Sequence, residues 1–163
     1  MHRAYIAVEP VDIEEYTLGD DRMACDVLFK NAGNLHATKI RWFITADLDK
    51  SAARKDFPHG NGVGNITLAP KGQMRKGTTD KPGMTKTEFA AFRSLVHSQP
   101  PDEEDGRGWL FVWGYVTYND GFRDDRKTEF CIRYSMARAT ATPARIAVTE
   151  ARYHEHGNRT DED

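Results

Sequence analysis

Hydrophobic and polar residues alternate from Met23 to Lys30, with Met23, Cys25, Val27 and Phe29 on one face, Ala24, Asp26 and Lys30 on the other, and Leu28 out of phase. A period of two marks a strand buried on one side. The same period runs through Thr38 to Asp47, where Ile40, Trp42, Ile44 and Ala46 oppose Lys39, Arg41, Phe43, Thr45 and Asp47. Asn31-Ala32-Gly33-Asn34 lies between the two stretches, and this turn composition predicts that they pair as a hairpin. Trp109 to Tyr118 is the strongest strand of the chain. Lys127 to Met136 follows it across a connection containing Asn119-Asp120-Gly121, so these two stretches are expected to pair and anchor a sheet.

Weaker patterns complete the picture. Arg3 to Val8 reads as an edge strand, because Pro10 interrupts it, with a second piece around Val11 to Leu18. Asp49 to Gly64 and Lys71 to Gly83 read as loops, separated by a short strand at Asn65 to Ala69. Thr85-Lys86-Thr87-Glu88 is a capping box, and Phe89, Phe92, Leu95 and Val96 then recur at helical spacing until Pro100 and Pro101. That predicts one short helix at about 85–98. The acidic run Asp102 to Gly106 reads as a solvated linker. Arg145 to Tyr153 is expected to be a last strand with Ile146 and Val148 inward, and His154 to Asp163 a polar, frayed tail. Single apolar faces on seven or eight short strands are best buried by two sheets packed together. The expected fold is therefore all-β, a two-sheet antiparallel immunoglobulin-like β-sandwich over 1–153 with one inserted helix.

Composition narrows the function classes. The 163 residues suit one domain, and a net charge of −2 provides no uniform field to draw in nucleic acid or a membrane surface. Leu, Ile, Val and Phe are sparse, so Trp and Tyr must share the filling of the core. The ten residues of Trp109 to Tyr118 are about half the length needed to span a bilayer. No apolar stretch of leader length precedes Glu9, so the expectation is a cytoplasmic protein or a domain whose leader or anchor lies upstream. The two cysteines, Cys25 and Cys131, lack metal or redox spacing. Alternation puts Cys25 with Val27 and Phe29 but Cys131 with Lys127, Glu129 and Arg133, so the pair is expected to remain as thiols.

Candidate chemistry centres on Trp109, Phe111, Trp113 and Tyr115, which share one face of a strand whose other face is also apolar. One face must fill the core. The other is either covered by the helix or a loop, or forms an aromatic platform for a glycan or a partner protein. His154 and His156 would project from the same side of an extended chain, but no motif supplies further ligands, so no metal and no cofactor is expected. Asp20-Asp21 and Asp124-Asp125 sit in turn-like segments that favour Asp for its hydrogen bonds to the backbone. Gly60-Asn61-Gly62-Val63-Gly64 lacks the lysine and helix of a phosphate loop. No catalytic residue is assigned.

Four segments, Arg3 to Ile6, Leu28 to Gly33, Ile66 to Pro70 and Gly114 to Tyr134, together resemble a bacterial family of domains without an assigned activity that usually follow an N-terminal membrane helix. Gly114-Tyr115-Val116-Thr117-Tyr118-Asn119-Asp120 with Thr128-Glu129-Phe130-Cys131 and Tyr134 is the most specific part. The chain departs from that pattern at Leu35-His36 and Gly121-Phe122-Arg123. The resemblance implies a β-sandwich displayed outside the cytoplasmic membrane. The expected function is a non-enzymatic interaction or accessory domain of a cell-envelope protein, the alternative a carbohydrate-binding module using the aromatic face. Its partner would be another protein or a glycan, not nucleic acid.

Overall fold

The computed structural model describes residues 2–16, 20–80, 83–98 and 108–161. The chain is mainly β, with antiparallel sheets packed against each other and, among the described residues, one α-helix. The larger layer is a sheet in the order β12(Ala151–Tyr153), β9(Arg126–Ser135), β8(Trp109–Asn119), β5(Ala37–Asp49), β6(Val63–Leu68), and β13(Arg159–Thr160) also pairs with β9. The expected pairing of the two long strands holds, in a register running from Trp109 opposite Ser135 to Tyr118 opposite Arg126.

The facing layer is divided rather than a single sheet. β1(Ile6–Pro10), β4(Val27–Asn31) and β7(Gln73–Lys76) form one piece, and β10(Thr140–Ala141), β11(Ala144–Ile146), β2(Ile13–Glu15) and β3(Met23–Ala24) form the other. β1 pairs with β4, and β2 with β3, so a single antiparallel ribbon is interrupted at Val11-Asp12 and at Cys25-Asp26. Met23, Cys25, Val27 and Phe29 are all buried, as the alternation predicts. Pro10 sits on the edge strand β1, where its missing N–H costs no ladder bond. The helix α1(Lys86–His97) is capped by Thr85, whose Oγ1 accepts from the Glu88 N–H at 3.0 Å. It buries Phe89 and Val96, while Leu95 is left 44% exposed.

Several expectations are corrected. β4 and β5 do not form a hairpin: β4 pairs with β1 and β7, β5 with β6 and β8, and the chain crosses between layers at Asn31. The buried Asn31 side chain makes that corner, its Nδ2 donating to the Leu35 and Leu68 carbonyls and its Oδ1 accepting from the Gly33 and Tyr5 N–H groups. Gln73 to Lys76, within a stretch expected to be a loop, is the strand β7, whose polar composition suits an edge. Val148 is 39% exposed because a 3-10 turn over Val148–Glu150 breaks the last strand, its first N–H donating to Asp12 Oδ1 at 2.7 Å. The residues after Tyr153 are docked as far as Asp161: His154 is 3% exposed, and β13 pairs with Glu129 and Thr128. The run Asp102 to Gly106, Pro100 and Pro101, and the expected end of the second strand piece at Leu18 lie outside the described residues.

The main core is a single cluster drawn from both layers and the helix, with Phe29 edge-on to Phe130 at 6.2 Å and tilted against Trp42 at 6.4 Å. Gly114 lets β8 approach β5 closely, since a Cβ there would fall 1.8 Å from the Phe43 carbonyl oxygen.

Candidate functional site

The outward face of β8 carries the four aromatics singled out in the sequence, and residues 50–62 cross it as a strap. Asp49 Oδ1 starts the strap by accepting from the Ser51 N–H at 2.9 Å, and Ser51 Oγ accepts from the Ala53 N–H. Arg54 then pairs with Asp47 at 2.9 Å and lays its guanidinium 4.8 Å from the centre of the Trp113 ring. Phe57 packs 5.6 Å from Phe111 and 5.4 Å from Trp113, centre to centre. The Trp113 indole N–H donates to the Pro58 carbonyl at 3.0 Å, and the Tyr115 hydroxyl to the Gly60 carbonyl at 2.9 Å. His59 lies over Tyr115 and Phe43, and burial holds its imidazole below its ordinary pKa. Gly60 is forced by this approach, because a Cβ would stand 2.7 Å from Phe43 Cε1.

A second cluster therefore forms on the far side of the sheet. Phe111, Trp113 and Cys131 are buried in it, with Phe57 and Trp109 packed alongside. Phe111 is 0% and Trp113 4% exposed, whereas Trp109 and Tyr115 are half-buried. The cover is a loop and not the helix. Stacking of a ligand on these four residues would require the strap to leave.

His154 and His156 stand with ring centres 5.7 Å apart. His154 donates from Nε2 to the Arg54 carbonyl at 2.7 Å, which fixes its tautomer, and its ring packs edge-on against Phe57 and Phe111. It acts as a wedge between strap and tail. No group of three or more metal-ligating side chains occurs among the described residues. Cys25 and Cys131 are both buried thiols on opposite sides of the large sheet, and burial pushes each up to about 12. Neither is an activated nucleophile.

The acidic pairs serve turns. Asp20 pairs with Arg22, Asp21 accepts from the Thr87 hydroxyl at the start of α1, and Asp124 accepts from Asn119 and Lys39. Asp120, at 1% exposure, accepts from the Phe122 and Arg123 N–H groups and from Arg126 at 2.8 Å. Burial alone would raise its pKa, but those three bonds outweigh it and hold the carboxyl below its ordinary range.

A cleft of about 410 Å³ lies elsewhere, between the outer edge of β1 and the strands β12 and β13. Tyr5 and Tyr153 line it at 37% and 56% exposure, with Glu129, Thr128 and Arg159 between them. The Tyr153 hydroxyl donates across the gap to the Val8 carbonyl at 2.6 Å, so this exposed ring is held at its tip. Asn158 pins the neighbouring turn by bonding both the N–H and the carbonyl of Cys131. A hollow of about 300 Å³, lined by Arg123, Arg159, Thr160 and Asp161, continues from it. Sequence reasoning did not assign Tyr5, Tyr153, Arg123 or Arg159 to a site, because they lie far apart in the chain and the fold alone brings them together.

Neither a family model, nor a curated protein, nor a solved structure matches the chain. Among the described residues, no helix is long and apolar enough to cross a membrane.

Proposed function

We propose that this chain is a non-catalytic interaction and accessory domain of the bacterial cell envelope, with an immunoglobulin-like sandwich, that takes an extended segment of a partner protein along the outer edge of β6. The observation that carries the reading is the contrast between β6 and the other sheet edges. β1 is blunted by Pro10, and its outer carbonyls are capped by side chains: Ile6 by Thr128, and Val8 by Tyr153. β7 bears Arg75 and Lys76, and β3 and β10 are two residues long. β6 runs for six residues, Val-Gly-Asn-Ile-Thr-Leu, with no charge, and is largely exposed. Exposed edges ordinarily carry lysine or proline against unwanted pairing. An edge without them suits strand addition, in which main-chain bonds give affinity and alternate side chains give selectivity.

The crossings between layers after β4 and after β6 support the immunoglobulin-like arrangement. Placement outside the cytoplasmic membrane rests on the family resemblance of Gly114 to Tyr134. The test is selection of extended heptapeptides from a displayed library, followed by hydrogen exchange on the bound domain. Selected peptides should alternate apolar positions, protect the amides of Val63 to Leu68, and lose at least tenfold in affinity against Thr67→Lys or Asn65→Lys. Peptides that protect any other segment, or that bind both variants unchanged, would overturn the proposal.

A further inference from the structure

We propose that the cleft between β1 and β12/β13 is a second, independent site that binds a carboxylated saccharide, with Tyr5 and Tyr153 as stacking walls and Arg123 and Arg159 as the anion contacts. The volume of about 410 Å³ falls within the roughly 300–1,000 Å³ of small-ligand sites, and the adjoining hollow lengthens it toward the arginines. Exposed aromatics held rigidly are good stacking surfaces, because little side-chain entropy remains to be lost on binding. Tyr153 meets that condition through its hydroxyl anchor on Val8. The main chain of Tyr5 is fixed opposite it, its N–H donating to Asn31 Oδ1 and its carbonyl accepting from the Ala32 N–H.

Charge selects the ligand. Arg123 and Arg159 line the same hollow, where the side chain of neither makes an ion pair or hydrogen bond with the described residues, while Asp161 Oδ2 beside them accepts from the Lys127 N–H at 2.8 Å. Two guanidiniums suit bidentate capture of a carboxylate. Glu129, inside the cleft, is paired with Lys127 at 3.3 Å and accepts hydrogen bonds only. Its carboxylate would accept from the hydroxyl groups of a sugar, an array of donors that inorganic phosphate does not offer. A pyranose chain with one carboxylate per ring offers the tyrosines its C–H faces, Glu129 its hydroxyls and the arginines its charge. The proposal does not depend on strand addition at β6, which lies at the opposite end of the large sheet.

The experiment is a titration of the intact chain with trigalacturonate, neutral galactotriose and inorganic phosphate, followed by amide chemical shifts and calorimetry. Trigalacturonate should bind with a sub-millimolar Kd, weaken as salt is raised, and shift amides of Tyr5, Glu129, Tyr153 and Arg159. Galactotriose and phosphate should each bind at least tenfold more weakly. The double variant Arg123→Gln/Arg159→Gln, both at exposed positions, should lose at least tenfold for trigalacturonate while keeping the unperturbed spectrum of the folded domain. Absence of binding, equal affinity for galactotriose, equal affinity for phosphate, shifts confined to another surface, or an unchanged Kd in the folded double variant would each overturn it.

Discussion

The indole N–H of Trp113 donates to the carbonyl oxygen of Pro58 across 3.0 Å, joining the centre of the large sheet to the middle of the loop that covers it. The donor is nearly buried, so water cannot replace a lost partner without opening the cover. Trp113→Phe should cost about 1–3 kcal/mol in chemical denaturation, from the lost bond and the smaller ring. Phe57→Ala should cost about 2 kcal/mol and expose Trp113 to acrylamide quenching. Native quenching as strong as that of the free indole would show that the strap is open in solution.

Asn31 ties together the turn after β4, the start of β1 and the end of β6 with four side-chain hydrogen bonds. Each is worth about 1 kcal/mol, and truncation strands their partners. Asn31→Ala should therefore destabilise by about 3 kcal/mol or more, read as a lower denaturant midpoint with the slope unchanged. Asn31→Asp should be nearly as damaging, because a carboxylate cannot donate to the Leu35 and Leu68 carbonyls.

Asp120 gives the fold a sensitivity to acid. Its folded-state pKa lies below the unfolded value of about 3.9, so its contribution is complete above that pH and is lost as pH falls through the folded-state value. Asp120→Asn should flatten the stability profile in that acid window. Asp120→Ala should cost about 3 kcal/mol at neutral pH, since it leaves the Arg126 side chain, 11% exposed, without this carboxylate. A profile for Asp120→Asn that parallels the parent below pH 4 would count against this assignment.

Both thiols should be inert in the native state. Burial pushes Cys25 and Cys131 up to about 12, so a disulfide reagent at pH 8 should titrate neither until denaturant is added, and then both. Rapid native reaction of Cys131 would mean that the strap and the docked tail leave its side of the sheet accessible.

Most of the sheet was legible because it is written in alternation. The pairing of β8 with β9, the inward set on β4 and β5, and the Thr85 cap all follow from residue spacing. The crossing at Asn31 was not legible, since its turn residues suit a hairpin equally well and only the buried amide's distant partners distinguish the two. β7 is hidden because Gln73 to Lys76 offers only one apolar residue, Met74, too few to show an alternation. The covered aromatics were legible as a two-sided apolar strand, but the cover itself depends on Phe57 and His154, single residues within polar segments. The cleft was the least visible, because its walls come from positions 5 and 153.

The loop over residues 50–62 would ordinarily be the natural place to cut, graft or permute such a domain, being long, polar and glycine-rich. Its placement reverses that expectation. Shortening it would strip the lid from Phe111 and Trp113 and leave an oily patch in the middle of the largest sheet, so truncated versions should clump at working concentration.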